Sequence, residues 1–283
     1  NASNHGNIGS DAVDLSVQSL ASSTRGATGF KAVAMGSNTT ASGSISTAIG
    51  NANEASGTFS TSMGVSTLAS GYGSTSMGNY TVANGWHSTA MGSNTTASGS
   101  YSTAIGLYAT ASDYSSTVIG QHNSSGSSVT NNATSFSTSN TAFVIGNGEN
   151  SDNKSDAFKV MFDGTTTIAG DLTINSDARL KANITSLGGT LAKLLKIDGK
   201  SYTMKKDQSE KQKIGLLAQD IQKVFPELVL ESQGIKSVNY QGLVPVIINA
   251  LKEQDRKMKE QDRKMREQEE RLERLERLVA NMD

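Results

Sequence analysis

The amino-acid sequence predicts a mainly β fold: a parallel β-roll of fourteen-residue coils, then a small strand-rich neck, ending in a coiled coil. Three observations carry this expectation. Gly36, Gly50, Gly64, Gly78, Gly92, Gly106 and Gly120 stand fourteen residues apart without a slip. Only 35% of the 283 residues are hydrophobic and 5% aromatic, while 28 are Gly, so large side chains for a compact core are scarce. From Leu251 the chain repeats heptads, EQDRKMK, EQDRKMR, EQEERLE and RLERLVA.

Composition excludes several classes. There is no Cys, so neither a disulfide scaffold nor a thiolate metal site is available. His5, His87 and His122 are scattered, and we expect no metal and no cofactor. The net charge of −1 hides a division: residues 1–150 hold only Arg25 and Lys31 against Asp11, Asp14, Glu54, Asp113 and Glu149. Such a front half offers no basic footprint for nucleic acid. The apolar stretch 242–250 is shorter than the roughly 20 residues a bilayer requires, so no membrane insertion is expected of this segment. The start, NASNHGNIGS, lacks the features of a signal peptide and an initiator Met, as in a processed product or a fragment.

A second glycine series, Gly43, Gly57, Gly71, Gly85 and Gly99, runs midway between the first, with Asp113 in the sixth place. A glycine every seven residues reads as a tight corner with positive φ, joined by strands of about five residues. Two strands and two corners make one coil. Ahead of the first series stands a large apolar residue (Met35, Ile49, Met63, Met77, Met91, Ile105, Ile119), preceded by a small one. Ile45, Thr47 and Ile49 are expected on one face, and Ser44, Ser46 and Ala48 on the other. One large apolar side chain per coil would form a thin core, and the small Ser/Ala face would let another copy approach. An oligomer is therefore expected.

The units ASGSISTAIG, ASGTFSTSMG and ASGSYSTAIG resemble the YadA-like heads of trimeric autotransporter adhesins, over about residues 27–120. The resemblance implies a left-handed parallel β-roll and a homotrimer. Thr47, Thr61, Thr75, Thr89, Thr103 and Thr117 stand where that family favours Val, which suggests a more polar core.

Residues 121–140 are Ser/Thr/Asn-rich without periodicity and read as a loop. TAFVIG, DAFKVMF and TTTIAGDLTI then mark a small β region, with turn signals at Asn147-Gly148 and Asp163-Gly164. It resembles the strand-rich neck of phage tail fibres.

SDARLKANI (176–184), IGLLAQDIQKVFPELV (214–229) and SVNYQGLVPVIINAL (237–251) resemble the self-cleaving intramolecular chaperone domain of phage tailspikes and tail fibres. The resemblance implies an α+β domain in which Ser176 is the nucleophile, Lys181 the base, and Asn175–Ser176 the bond broken. The chemistry suits these types: a Ser hydroxyl needs a base, and a Lys serves once burial or a cationic neighbour, such as Arg179, lowers its pKa. Each chain would turn over once and act on nothing else. A bland alternative makes SDARLK a turn before a helix capped by Ser176 or Asp177. A rival cleavage, cyclisation of the Asn175 amide on its own carbonyl, would break the same bond without Ser176.

The heptads place Val244, Leu251, Met258, Met265, Leu272 and Val279 on one seam position, and Ile247, Gln254, Gln261, Gln268, Leu275 and Met282 on its partner. Three central Gln layers cost stability but fix register, and three strands would match the head. Lys257 with Asp262, and Lys264 with Glu269, can pair between parallel chains. The alternative is an amphipathic helix lying on its own domain.

Tyr72, Trp86 and Tyr114 share one column of the repeat and are candidate contacts for a cell-surface glycan or protein receptor, the plainer reading being packing between coils or between chains. Phe59, His87 and Tyr101 share the next column and are expected on the other face. The expected organisation is thus a lead-in (1–26), a β-roll head (27–120), a connector and neck (121–175), a Ser/Lys chaperone domain (176–250) and a coiled coil (251–283). Together they suggest an extracellular homotrimeric fibre, of a phage tail or bacterial surface, that attaches to a host, prey or target cell. A structural spacer without a ligand, or an ice-binding solenoid using the Thr ladder, are the alternatives. A glycan-cleaving spike lacks paired carboxylates, since Glu54 and Asp113 lie four repeats apart.

Overall fold

The computed structural model describes residues 6–124, 132–205 and 211–281. His5, Met282 and part of the Ser/Thr/Asn-rich connector lie outside the described residues. The chain divides into two units, Asn1–Ile174 and Asn175–Asp283.

In the first unit, five-residue strands recur once per coil, from Val33–Ser37 and Thr47–Asn51 through to Thr117–Gln121. They pair in parallel with a fourteen-residue offset, Thr47 opposite Thr61 and Gly50 opposite Gly64. A second parallel sheet of seven two-residue strands, Gly26–Ala27 to Thr110–Ala111, closes the other side of each coil. The result is the expected parallel β-solenoid. It begins before the repeat motif, because Val13–Val17 pairs with Val33–Ser37. It also runs past it. After the insertion, Thr141–Asn147 pairs in parallel with Thr117–Gln121, and two antiparallel strands, Asp156–Met161 and Thr166–Ile168, complete the sheet.

The faces are the reverse of the sequence expectation. Small residues fill the coil: Ala34, Ala48, Ala90 and Ala104, with Ser62 and Ser76 in the same column, are fully buried. Ala41, Ala55, Ala69, Ala83, Ala97 and Ala111 face them from the short strands. The large apolar column points outward, with Met35 and Ile105 exposed and Ile49, Met63, Met77, Met91 and Ile119 half-buried. The Thr47–Thr117 column is likewise on the outside rather than in the core. The lumen takes mostly small side chains, giving way to Val118 and Val144 in the last coils of the same column, so the Ser/Ala face is turned inward and is not open to another copy. Burying methyl groups returns little hydrophobic free energy, about 0.8 kcal/mol per carbon. Hydrogen bonding inside the lumen supplements it: Ser62 with Thr67 (2.6 Å), Ser76 with Thr81 (2.7 Å), and Ser88 Oγ donating to Gly85 O (2.8 Å). Asn53 joins two coils, donating to Gly64 O at 2.7 Å and accepting from Thr67 N at 3.0 Å.

The glycines also differ from expectation. Gly78 and its series lie inside the long strands, not at corners, with φ of +124° at Gly78. The midway series lacks positive φ; at Gly71 the constraint is space, since a Cβ there would meet the Gly85 carbonyl oxygen at 2.0 Å. The corners fall instead at every seventh residue from Lys31 to His122, where φ lies between 42° and 61° and only Gly73 is a glycine. Left-handed backbone costs roughly 1–2 kcal/mol for an ordinary residue. Each such corner is held by a bond to the coil before it, as in Ile45 N to Phe30 O (2.7 Å) and Tyr101 N to Trp86 O (2.6 Å).

In the second unit, two short α-helices and two 3-10 turns, the second of them Pro226–Leu228, precede a long helix. Ala178–Leu180 is a single 3-10 turn, Thr190–Leu194 forms α1 and Ala218–Val224 forms α2. Leu243–Ala280 is one continuous helix of 38 residues, α3. Pro245 sits in its first turn, where no intrahelical donor is lost. Lys200–Tyr202 pairs with Lys213–Gly215, and Val229–Ser232 with Ile235–Val238 through a left-handed Gln233-Gly234 turn. Ile221, Phe225, Leu228, Leu243 and Val246 form a small core.

Glu253 of α3 ties α1 down. Its carboxylate accepts from Thr190 N (2.8 Å), Thr190 Oγ1 (2.9 Å) and Leu191 N (3.1 Å). These bonds, those of the Thr190 backbone foremost, hold its pKa below the ordinary 4.5. A lowered folded-state pKa means the contribution is complete above about 4.5 and disappears as pH falls through the folded value. Glu253→Gln should therefore melt earlier than wild type at pH 7, and the gap should close in thermal scans taken toward pH 3.

Candidate functional site: a Ser-Lys turn, an aromatic corner and an open helix seam

The segment Asn175–Lys181 is shaped by Asp177. Its backbone is extended (φ −62°, ψ 133°), and its side chain accepts from Arg179 N at 2.8 Å, capping the 3-10 turn. Leu180 N and Lys181 N close the turn on Asp177 O and Ala178 O, both at 3.1 Å. The chain is folded back over five residues, and Lys181 Nζ lies 2.7 Å from Ser176 Oγ. Asp177 is thus the cap of the turn, and no longer helix follows it.

Arg179 does not act as expected. Its guanidinium is bound to Asp177, with Nη2 at 2.6 Å from Oδ2, and is directed to that carboxylate rather than to Lys181. The side-chain bond to Arg179 holds the Asp177 carboxyl below its ordinary value of 3.8, and the Arg179 value is raised in turn. Ser176 and Lys181 are both exposed within one chain. The Asp177–Arg179 pairing depends on the turn geometry and was not legible in the motif alone.

Tyr72, Trp86 and Tyr114 do not stand apart from Phe59, His87 and Tyr101. The two columns share one corner of the roll and their rings touch in series. Phe59 meets Tyr72 at 5.4 Å, Tyr72 meets Trp86 at 5.5 Å and His87 at 5.3 Å. His87 stacks on Tyr101 at 5.6 Å, and Tyr101 meets Tyr114 at 5.4 Å. The connector closes the far end: Tyr114 N donates to Asn132 O, and Ser100 N to Ala133 O. Asp113, replacing glycine in the last coil, accepts from Thr141 N at 2.8 Å and so anchors the returning strand.

Along α3 the seam residues Leu251, Met258, Met265, Leu272, Leu275 and Val279 are all exposed, at 51–64%, and Gln254, Gln261 and Gln268 are likewise open to solvent. The charged flanks pair within the helix, as in Lys259–Asp255 and Arg263–Glu260, both at 2.8 Å. Lys264 reaches Glu260 at 3.6 Å in the same chain.

Two families match. The YadA head domain repeat matches in overlapping stretches from residue 27 to 123, and the chaperone of endosialidase matches residues 176–230. The chain is thus similar to YadA head repeats in its first unit and to the chaperone of endosialidase in its second. The chaperone match opens on Ser176, the first residue of the turn described above. A long tail fiber protein of Escherichia phage AR1 is 31% identical over 100 residues, covering 32% of this chain and 9% of that protein. The chain therefore spans less than a tenth of that relative. No solved structure matches. Among the described residues, no helix is long and apolar enough to cross a membrane, and no cluster of three or more His, Asp or Glu could hold a metal.

Proposed function

We propose that the chain is part of an extracellular trimeric fibre that attaches to a target cell surface through its YadA head. Its chaperone domain gathers three chains and then releases itself by cutting Asn175–Ser176. The observation that carries the release step is the 2.7 Å approach of Lys181 Nζ to Ser176 Oγ. Lys181 takes the hydroxyl proton as Oγ attacks the Asn175 carbonyl carbon. The bond from that carbon to Ser176 N then breaks, the nitrogen receives the proton, and an ester joins Asn175 to Ser176 Oγ. Water cleaves the ester, leaving an Asn175 carboxylate and a free Ser176 amine.

A lysine gives up its proton when burial or a neighbouring cation disfavours the charged form. Arg179 is committed to Asp177, so covering by other copies is the remaining means. This ties scission to assembly. Two outward surfaces call for such copies: the Ile/Met column of the roll and the apolar seam of α3.

Denaturing mass of the purified wild-type chain tests the release, with two fragments meeting at Asn175/Ser176 expected and an intact chain contradicting it. Asp177→Ala should slow scission about tenfold by loosening the turn, with Asp177→Asn, which still caps, closer to wild type. Adhesion is tested by binding of the assembled protein to whole cells; a blank result makes the head a spacer.

A further inference from the structure

We propose that the aromatic corner of the roll is a binding site for an uncharged saccharide chain. The proposal rests on the adhesin reading and gives its ligand a chemical class. Phe59, Tyr72, Trp86, His87, Tyr101 and Tyr114 form an unbroken run of rings in contact across successive coils. Packing against one another does not remove them from solvent: Trp86 remains 50% exposed, Tyr101 45% and Tyr72 40%. Aromatic side chains on this scale normally bury most of their surface, so the run offers unused apolar faces in an otherwise Ser/Thr/Asn-rich field.

Local geometry maintains it. At Gly73 a Cβ would meet His87 Nδ1 at 2.5 Å, so the missing side chain is what lets the imidazole lie between Tyr72 and Tyr101. The chemistry then selects the ligand. Sugar rings present C–H faces that stack on aromatic rings, and rims of hydroxyls that need polar partners. Ser70 and Asn84, two residues ahead of Tyr72 and Trp86, are exposed and supply such partners. Between residues 32 and 112 the sole acidic or basic side chain is Glu54, leaving His87 aside. With no Lys or Arg to pair with sialic acid, sulfate or phosphate, charged glycans are disfavoured. A run with one or two rings per coil suits a linear oligosaccharide lying along the roll.

Trp86 is the only tryptophan in the chain, so its fluorescence reports on the site alone. The full-length protein is titrated with maltohexaose, cellohexaose, mannohexaose and chitohexaose, with a sialic acid trimer and a heparin hexasaccharide as charged controls. Acrylamide quenching and native mass are read on the same sample. A saturable shift with at least one neutral hexasaccharide, weakened about tenfold or more by Tyr72→Ala and by Tyr101→Ala at unchanged native mass, supports the site. No saturable shift, an equal response to the charged controls, or a response indifferent to both substitutions overturns it. So does a Trp86 that acrylamide cannot reach, which would place the rings between copies. A blank titration of intact trimers overturns the saccharide site alone, whereas a single-chain species overturns the fibre reading and this proposal with it.

Discussion

Ser176→Ala should give one full-length species where wild type gives two fragments. The substitution removes the proposed nucleophile while leaving the turn, whose bonds come from Asp177 and the backbone. Lys181→Arg is the companion: it keeps the charge and much of the length, but a guanidinium does not deprotonate in proteins and cannot serve as base. Both should reduce scission by at least about a thousandfold, the scale of losing a nucleophile or its base. Continued cutting at this bond in Ser176→Ala would transfer the reaction to cyclisation of Asn175. Continued cutting in Lys181→Arg would remove the lysine from the mechanism.

The second large effect is in the head. Gly78→Ala should destabilise the roll by at least about 4 kcal/mol, the range reserved for backbone conflict and severe overpacking. A Cβ at Gly78 would lie 2.0 Å from the Gly92 carbonyl oxygen, and the φ of +124° is closed to an L side chain. Neither can relax without parting two coils. Gly71→Ala meets the same clash without the conformational penalty and should cost less. Gly170→Ala, where a Cβ has open space, is the control. Thermal unfolding of the three variants checks the ranking; a Gly78→Ala melting within about two degrees of the control would contradict the packing described here.

The glycine periodicity was legible because coils stacked at backbone distance tolerate no Cβ, and that constraint repeats with the coil. Which face lies inside was not. Alternation separates Ala48 from Ile49 but does not rank them, and only the width of the lumen decides for alanine. The corners were hidden for a different reason. Nothing in the propensities of Ile45, Phe59 or Tyr101 signals left-handed backbone, which the bonds to the preceding coil impose. At the Asn175–Lys181 turn, the spacing of Ser176 and Lys181 was readable from the motif. The diversion of Arg179 to Asp177 was not, because it arises from a cap that exists only once the turn has formed. The aromatic columns were visible separately, but their meeting at one corner required the coil's path.

We propose that this chain functions as three copies, held by outward apolar columns that one copy leaves uncovered, with the chaperone domain cut away after assembly. Native mass spectrometry of the wild-type product tests it most directly. The account predicts a complex of three chains, each ending at Asn175, separate from the released C-terminal domain. A stable single chain retaining residues 1–283 would contradict it.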